Sequence, residues 1–358
     1  DATDLPYFQA GDKVEGLDTP ATLALTPAFS TTLYTGNRTI GHPVPTGIDN
    51  TIKSLVWVKD RDQANIHTLV DSVRGNGLYL NSSSSNAQRG EDNTATRPQL
   101  TSNGFTCGTT GGNIDANTND DSRYVAWNFR AAPQFMDIVE YDGNDDSSRQ
   151  IAHSLTTVPS VIISKAVNVS NNWGVYHQSL GSKGLYLNFS NGEGVTAVPT
   201  NHTSTTFEVK KGSGIGNLLG QTYITYLFAD TPGLIKCGKE TESSNKEVNL
   251  GFKPAFLLYK TTQISSNWRI SDNKRPTDLS QGRGRLNPNT ADVESASSPI
   301  VFTETGFKQN GLMWGDGVEY IYVAIAEDAK SPDETELTFD DATDLPYFQA
   351  GDKVEGLD

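Results

Sequence analysis

The sequence has few of the residues that build disulfide frameworks, nucleic-acid surfaces or membrane spans. Cysteine occurs only at Cys107 and Cys237 in 358 residues, and the two fall in different repeats as defined below, so we expect two buried thiols and no disulfide. Lysine and arginine number 28 against 43 acidic residues, a net charge of −15, which disfavours binding to nucleic acid or to an anionic membrane. No apolar run approaches the roughly 20 residues that cross a bilayer. We therefore expect neither nucleic acid nor a membrane as a partner.

The sequence also lacks the motifs of common catalytic sites. Its five histidines are scattered singly, without the paired spacing that binds zinc. No GxSxG motif presents a nucleophilic serine, and Gly214-Ile-Gly216 lacks the lysine of a phosphate-binding loop. Carboxylates are abundant, but nothing distinguishes a glycosidase pair from acidic loops in solvent. We therefore predict that the protein is not an enzyme and has no catalytic residues.

One 18-residue segment occurs twice in the chain. Residues 1–18, DATDLPYFQAGDKVEGLD, return unchanged at 341–358, a period of 340 residues. Such identity indicates a duplication, and we interpret it as a native array of 340-residue units; the alternative is an artificial overlap. Residues 334–339 favour the array, because they alternate polar and apolar side chains like a strand that leads into the second copy. We predict that 1–32 complete the junction of a preceding unit and that 331–358 form a small β junction and begin the next one.

A weaker repeat, with a period of about 100 residues, runs through the rest of the chain. Each copy has a strand-like apolar run that ends in lysine: Leu55–Lys59, Val161–Lys165 and Phe256–Lys260. An asparagine follows about seven residues later, and the next residue is large and apolar: Ile66, Trp173 and Trp268. Each copy closes with a run that has apolar bulk on both faces: Tyr124–Phe129, Tyr223–Phe228 and Tyr320–Ile325. These closing runs are expected to be strands in the middle of a sheet.

Turn residues indicate the fold class. The chain has 33 glycines and 16 prolines, which separate short strand-like runs and are typical of β-rich domains. Six to eight strands in about 95 residues match the size of a β-sandwich, and a jelly-roll-like sandwich fits equally well. We predict an all-β chain of three tandem β-sandwich domains, at 33–132, 133–231 and 232–330. Pro133, Pro232 and Pro332 mark the boundaries, because proline ends strand pairing after each closing run.

One acidic turn is a candidate cation site. Asp142, Asn144, Asp145 and Asp146 place several hard oxygen donors close together, as calcium sites do. The turn lacks the closing glutamate of a full calcium loop, so an ordinary solvated turn is the alternative. Apart from calcium at this turn, no cofactor is expected.

The tryptophans divide into two groups. Trp173 and Trp268 stand at a repeated position and are interpreted as core residues. Trp314 has no counterpart in the other repeats, so it is the candidate for stacking on a sugar at the surface.

The combined pattern resembles the tandem β-domains of unknown function found in structural and tail-associated proteins of marine bacteriophages, especially cyanophages. The resemblance covers residues 33–329 and rests on motifs such as YTGN at 34–37, WVKDRD at 57–62, YVAWNFRA at 124–131 and VNLGFKPAFLLYK at 248–260. It implies a surface-exposed component of a virion or fibre, and it supplies no catalytic residues. The identical 340-residue period departs from the usual phage tail protein and leaves an extracellular filament open.

These observations predict a structural subunit of an extended fibre or filament, located on a virion surface or outside a cell. Its main partners would be copies of itself along the fibre. The alternative is a carbohydrate-binding adhesin that recognises glycans on a host surface. Glycan binding by way of Trp314 would distinguish the two.

Overall fold

The computed structural model describes residues 27–90, 98–108, 121–275, 277–278, 282–295 and 299–330. All of these residues belong to one compact unit. Pro332, the junction predicted at 331–358 and residues 1–26 of the junction predicted at 1–32 lie outside the described residues.

The described chain is built from β-strands, which confirms the predicted all-β class. Repeat 1 contains β1 (Phe29–Thr35), β2 (His42–Pro45), β3 (Ser54–Asp60), β4 (Thr68–Asp71), β5 (Gln99–Thr101), β6 (Gly104–Cys107) and β7 (Arg123–Arg130). Repeat 2 contains β8 (Met136–Asp142), β9 (Arg149–Ala152), β10 (Val161–Ala166), β11 (Gly174–His177), β12 (Lys183–Tyr186), β13 (Thr196–Ala197), β14 (Thr206–Val209) and β15 (Thr222–Phe228), with a 3₁₀ turn at Gln178–Leu180. Repeat 3 contains β16 (Ile235–Thr241), β17 (Glu247–Asn249), β18 (Pro254–Thr261), β19 (Arg269–Asp272), β20 (Thr277–Asp278), β21 (Gly282–Arg283), β22 (Ile300–Thr303), β23 (Gly306–Gln309) and β24 (Glu319–Ala326). Within these residues, no helix is long and apolar enough to cross a bilayer.

Each repeat has a main antiparallel sheet in which the first strand lies beside the last. The strand orders are β1-β7-β3-β4, β8-β15-β10-β11-β12-β13 and β16-β24-β18-β19. The closing strands β7, β15 and β24 are buried inside their sheets, as predicted. Each sheet therefore contains an equivalent pair of facing residues, one from the apolar run and one from the closing strand: Trp57–Trp127, Ile163–Tyr226 and Leu258–Val323.

A smaller sheet covers one face of each main sheet. The orders are β2-β6-β5, β9-β14 and β17-β23-β22. In repeat 1 the space between the two sheets is filled by Val44, Val56, Phe105 and Tyr124. Two sheets packed face to face over an apolar layer form a β-sandwich, so the predicted sandwich architecture is confirmed.

The opposite faces of the main sheets meet in one shared hydrophobic core. Side chains alternate along a strand, so Leu55 and Trp57 of β3 point into this shared core while Val56 and Val58 face the small sheet. A cavity of about 20 Å³ is lined by apolar and aromatic residues of all three repeats. It has room for about one water molecule, so it is a packing void and not a ligand pocket.

Short proline turns connect consecutive repeats. Pro133 lies in the turn from β7 to β8, and Pro232 lies in the turn from β15 to β16. Each turn is closed by an isolated bridge, Ala132 to Met136 and Thr231 to Ile235. The boundaries predicted at 133 and 232 fall in these turns; independent folding of the three stretches stays a prediction.

The first and third repeats meet without a covalent turn. The backbone N–H of Ala28 donates to the carbonyl oxygen of Ala329 at 2.8 Å, and Pro27 forms a bridge with Lys330. Strand β1 begins at Phe29, before the predicted boundary at residue 33. The three repeats therefore close into a ring, with both ends of the described chain at one corner.

Candidate functional site

All four candidate calcium ligands accept hydrogen bonds from the chain itself. The donors are Thr222 to Asp142, Asn217 to Asn144, Asn144 to Asp146 and Lys211 to Asp145. No group of three histidine, cysteine, aspartate or glutamate side chains suited to a metal occurs in the described part of the chain. Calcium binding at this turn stays a prediction, and an ion there would have to displace donors such as Lys211, which is 2.7 Å from Asp145 Oδ2.

Trp314 is half-buried in a loop that a single carboxylate organises. Glu242 is fully buried and accepts hydrogen bonds from three consecutive backbone N–H groups, at residues 313–315. The guanidinium of Arg269 lies over the indole, 4.5 Å from the ring centroid, and the indole Nε1 donates to Ser266 at 2.8 Å. One face of the ring is thus occupied, and sugar binding by the remaining surface stays a prediction.

The contacts between repeats form three equivalent seams, which we name seam 1–2, seam 2–3 and seam 3–1 after the repeats they join. One backbone hydrogen bond is repeated in all three seams. It runs from Gln88 to Val167 at 2.7 Å, from Glu193 to Thr262 at 2.7 Å and from Glu294 to Arg61 at 2.8 Å. Each acceptor lies two residues after the lysine of its repeat, so the three bonds are related by the internal repeat.

Two buried tryptophans cross the seams with their indole nitrogens. Trp173 Nε1 donates to the carbonyl oxygen of Asn81 at 2.9 Å in seam 1–2. Trp268 Nε1 donates to the carbonyl oxygen of Tyr186 at 3.0 Å in seam 2–3. Both side chains are buried, which confirms that they are core residues.

The equivalent residue in repeat 1 is His67, so the alignment of Ile66 with these tryptophans was wrong by one position. Thr68 pairs with Val58 just before Lys59, and Gly174, the residue after Trp173, pairs at the same place in repeat 2. His67 is fully buried, and its Nδ1 accepts from Trp57 Nε1 at 2.9 Å. Burial, followed by the charge of Lys59, lowers the pKa of His67 well below its ordinary value, so the ring is neutral.

Two seams contain a buried aspartate–arginine pair that also binds an aromatic residue of the next repeat. In seam 1–2, Arg74 Nε donates to Asp71 Oδ2 at 2.6 Å, and the Tyr226 hydroxyl donates to the same oxygen at 2.8 Å. In seam 3–1 the corresponding distances to Asp272 Oδ2 are 2.7 Å from Arg275 Nε and 2.9 Å from Trp127 Nε1. Burial acts to raise the pKa of Asp272, but the charge and hydrogen bonds of Arg275 lower it below its ordinary value.

The lysine that ends each apolar run is buried, and its ammonium group donates to backbone carbonyls of the hairpin that follows. The acceptors are Asp60 for Lys59, Ala166 for Lys165 and Thr261 for Lys260. Burial lowers the pKa of Lys165 to about 8 and that of Lys260 to about 8. The lysines therefore organise the hairpins from inside.

The two cysteines are free and buried, as predicted. The Cys237 thiol donates to the carbonyl oxygen of Ala229 at 3.1 Å. Burial raises the pKa of Cys107 to about 12, so neither residue has the exposed, acidified thiol of a reactive cysteine.

The seam pairs were missed by sequence reasoning. Asp71 and Arg74, and likewise Asp272 and Arg275, stand three residues apart, and each aspartate is the last residue of an equivalent strand, β4 or β19. The recurrence of Asp-x-x-Arg at matching positions in repeats 1 and 3 is the signal that could have identified them. Taken alone, such a pair resembles an ordinary charged turn at the surface.

The fold and the seams define a three-repeat all-β module held together by buried polar contacts. The chain matches the family described as a domain of unknown function, DUF7483, over residues 26–329. It belongs to that family. None of the curated proteins compared with the chain matches it significantly.

Proposed function

We propose that the chain is a structural subunit of a fibre or filament, on a virion surface or outside a cell, in which residues 27–330 form a rigid bead. The observation that carries the proposal is the hydrogen bond between Ala28 and Ala329. It brings both ends of the bead to one corner. When the two ends of a domain lie side by side, the domain can be inserted into a longer chain, or repeated along it, without separating the flanking segments of that chain.

The burial of the polar groups also favours a mechanical role. Asp71, Arg74, Asp272 and Arg275 are buried in contacts between repeats, where they lock neighbouring sandwiches together. The central void of about 20 Å³ is too small for a substrate or an organic cofactor. The buried ion pairs and the small void therefore favour a mechanical role over a catalytic one.

The repeated segment extends this proposal to an array. Identical sequences at 1–18 and 341–358 would place one bead in every 340 residues, and the principal partners would be copies of the same unit. The similarity to β-domains of marine phage structural proteins favours a virion fibre over a free filament.

Immunoelectron microscopy of the native particle or filament tests this proposal. Fab fragments raised against the whole chain are expected to label the fibre at a constant axial spacing, and an excess of purified chain should remove the label. Labelling of isolated compact particles with no fibre would contradict the proposal.

The alternative, a carbohydrate-binding adhesin, is favoured by one specific feature of repeat 3. In repeats 1 and 2 the residue at the position of Glu242 is a glycine: Gly36 and Gly143 donate the same backbone hydrogen bond that Glu242 donates to Val318. In repeat 3 this residue carries a carboxylate, which organises the Trp314 loop. The carboxylate is thus an addition that the sandwich itself does not require.

A glycan array distinguishes the adhesin from the fibre subunit. Saturable binding that Trp314→Ala abolishes would favour the adhesin. Leu219→Ala is the matched control, because Leu219 is the most exposed large apolar side chain of the described residues and lies in the corresponding loop of repeat 2. Equal loss in both variants would argue against a site at Trp314.

A further inference from the structure

Seam 2–3 differs from the other two seams at one equivalent position. Asp71 pairs with Leu55, and Asp272 pairs with Phe256. The residue at this place in repeat 2 is His177, which pairs with Val161. A neutral ring thus replaces the aspartate of an ion pair, and Leu180 stands where the arginine would be.

His177 lies across seam 2–3 with both ring nitrogens occupied. Nδ1 accepts from the backbone N–H of Ser179 at 3.2 Å, and Nε2 faces the carbonyl oxygen of Tyr322 at 3.3 Å. Since Nδ1 accepts a hydrogen bond, the proton of the neutral ring is on Nε2. The first contact caps the 3₁₀ turn at residues 178–180, and the second reaches repeat 3.

That turn carries a further bridge between the repeats. Gln178 Nε2 donates to the carbonyl oxygen of Cys237, in β16 of repeat 3, at 3.1 Å. The same amide donates to Asp230 Oδ2, at the end of repeat 2, at 3.2 Å. The cap on the turn therefore positions a second contact across the seam.

Few charges face His177 from the surrounding elements. Asp230 is the carboxylate that acts on it, and this carboxylate is already paired with Lys236 at 3.0 Å. From β24, Tyr322 turns its carbonyl oxygen towards the ring; its phenol and the Cys237 thiol of β16 have pKa values raised by burial and stay neutral in acid. Leu258 of β18 and Trp268, the residue before β19, complete the surroundings. Among the described residues, no strong counter-ion is thus in place for an imidazolium.

We propose that seam 2–3 is an acid-sensitive joint in which protonation of His177 loosens the contact between repeats 2 and 3. A proton on Nδ1 turns the acceptor for Ser179 into a donor, so the cap is lost. The turn moves, and the hydrogen bond from Gln178 to Cys237 across the seam breaks with it. At the same place in seams 1–2 and 3–1, the acceptor is the carboxylate of Asp71 or Asp272, and an arginine three residues later donates to it with both its backbone N–H and its side chain.

Burial supports the direction of this change. It lowers the pKa of His177 to about 4, whereas the exposed ring in an opened seam has an ordinary value near 6.5. The opened form therefore binds a proton more tightly, and opening becomes more favourable as the pH falls from about 6.5 towards 4.

The two cysteines provide an internal reporter. Cys237 lies at seam 2–3, and Cys107 lies in the small sheet of repeat 1; both are buried. Labelling of the full chain with 4,4′-dithiodipyridine, with the label on each cysteine quantified by peptide mass spectrometry and normalised to a small thiol at each pH, measures their exposure separately. From pH 7.5 to pH 5.0 we expect the rate at Cys237 to rise roughly tenfold or more, with little change at Cys107. An equal rise at both cysteines, or none at Cys237, would overturn the proposal.

Two variants assign the effect to His177. H177N keeps an oxygen that can accept from Ser179 but cannot titrate, so it should lose the acid response of Cys237. H202N is the matched control: burial also lowers the pKa of His202 to about 4, but this ring caps Glu208 in the small sheet of repeat 2, so the response should persist. A full acid response in H177N would overturn the proposal. If Cys107 reacts with H177N at pH 7.5, the pair H177D and L180R, which copies repeats 1 and 3, replaces it with the same expected outcome.

Discussion

The backbone hydrogen bond from Ala28 to Ala329, 2.8 Å long, occupies the corner of the ring where a covalent turn would join repeat 3 to repeat 1. At the other two corners Pro133 and Pro232 lie in the connecting turns. The three corners are otherwise alike. The packing of the repeats therefore does not depend on which corner holds the ends of the chain.

Circular permutation is therefore expected to preserve the fold. Joining Lys330 to Pro27 through a short Gly-Ser linker and opening the chain between Pro232 and Gly233 replaces one corner by another. We expect the free energy of unfolding to change by no more than about 2 kcal/mol, since loop closure varies slowly with length. Urea denaturation followed by circular dichroism measures it. A control permutant opened between Thr225 and Tyr226, inside buried β15, should not fold; similar behaviour of both permutants would show that the corner is not special.

The buried pair in seam 3–1 should show strong energetic coupling. Asp272→Ala removes the fully buried partner of Arg275 and leaves it only the ion pair with Glu294 at 3.2 Å, and we expect a loss of about 3 kcal/mol. Adding Arg275→Met removes the charge that has lost its main partner, so the double variant should be more stable than Asp272→Ala by about 1–2 kcal/mol.

A double-mutant cycle by urea denaturation measures this coupling. Lys236→Ala is the control, because its ion pair with Asp230 is partly exposed and surface pairs contribute about 0–1 kcal/mol. Additive losses at Asp272 and Arg275 would contradict the expected coupling.

Sequence patterns were sufficient for the sheets but not for the ring. Apolar bulk on both faces of Tyr124–Phe129 predicted a central strand, and β7 is central. The same pattern does not say what covers each face, so the packing of the inner faces against the other repeats was not foreseen. Trp57 and Val56 are both apolar, yet one faces the shared core and the other faces the small sheet.

Polar residues carried even less information. Buried and exposed Asp-x-x-Arg turns have the same composition, and only the three-dimensional pairing shows that Asp272 faces Trp127 of another repeat. The alignment error at His67 has a related cause, because a histidine that replaces a buried tryptophan breaks the apolar pattern while keeping a ring nitrogen in the core. Ile66, which preserved the pattern, was the misleading neighbour.

The buried lysines predict a stability that rises with alkaline pH. Burial lowers the pKa of Lys165 and Lys260 to about 8, compared with about 10.4 in the unfolded chain. Between these values the unfolded chain binds more protons, so the free energy of unfolding increases with pH. The two buried thiols act in the opposite direction, because burial raises their pKa values, so the measurement uses a Cys107→Ala/Cys237→Ala background. In that background we expect higher urea midpoints at pH 9.5 than at pH 7.5. Adding Lys165→Met and Lys260→Met should remove this slope, whereas adding Lys183→Met, at an exposed lysine, should keep it; a flat or falling profile in the cysteine-free chain would contradict the prediction.

The loop that carries Trp314 should depend on Glu242. Its carboxylate accepts hydrogen bonds from three backbone N–H groups. Glu242→Ala would remove this acceptor from all three, and we expect the free energy of unfolding to fall by about 1–3 kcal/mol. Acrylamide quenching reports the loop selectively, because the other four tryptophans, Trp57, Trp127, Trp173 and Trp268, are buried. Quenching should increase in Glu242→Ala and stay unchanged in Glu240→Ala, which removes only a partly exposed ion pair with Lys246. Unchanged quenching and stability in Glu242→Ala would mean that the neighbouring contacts of Arg269 and Ser266 hold the loop without the carboxylate.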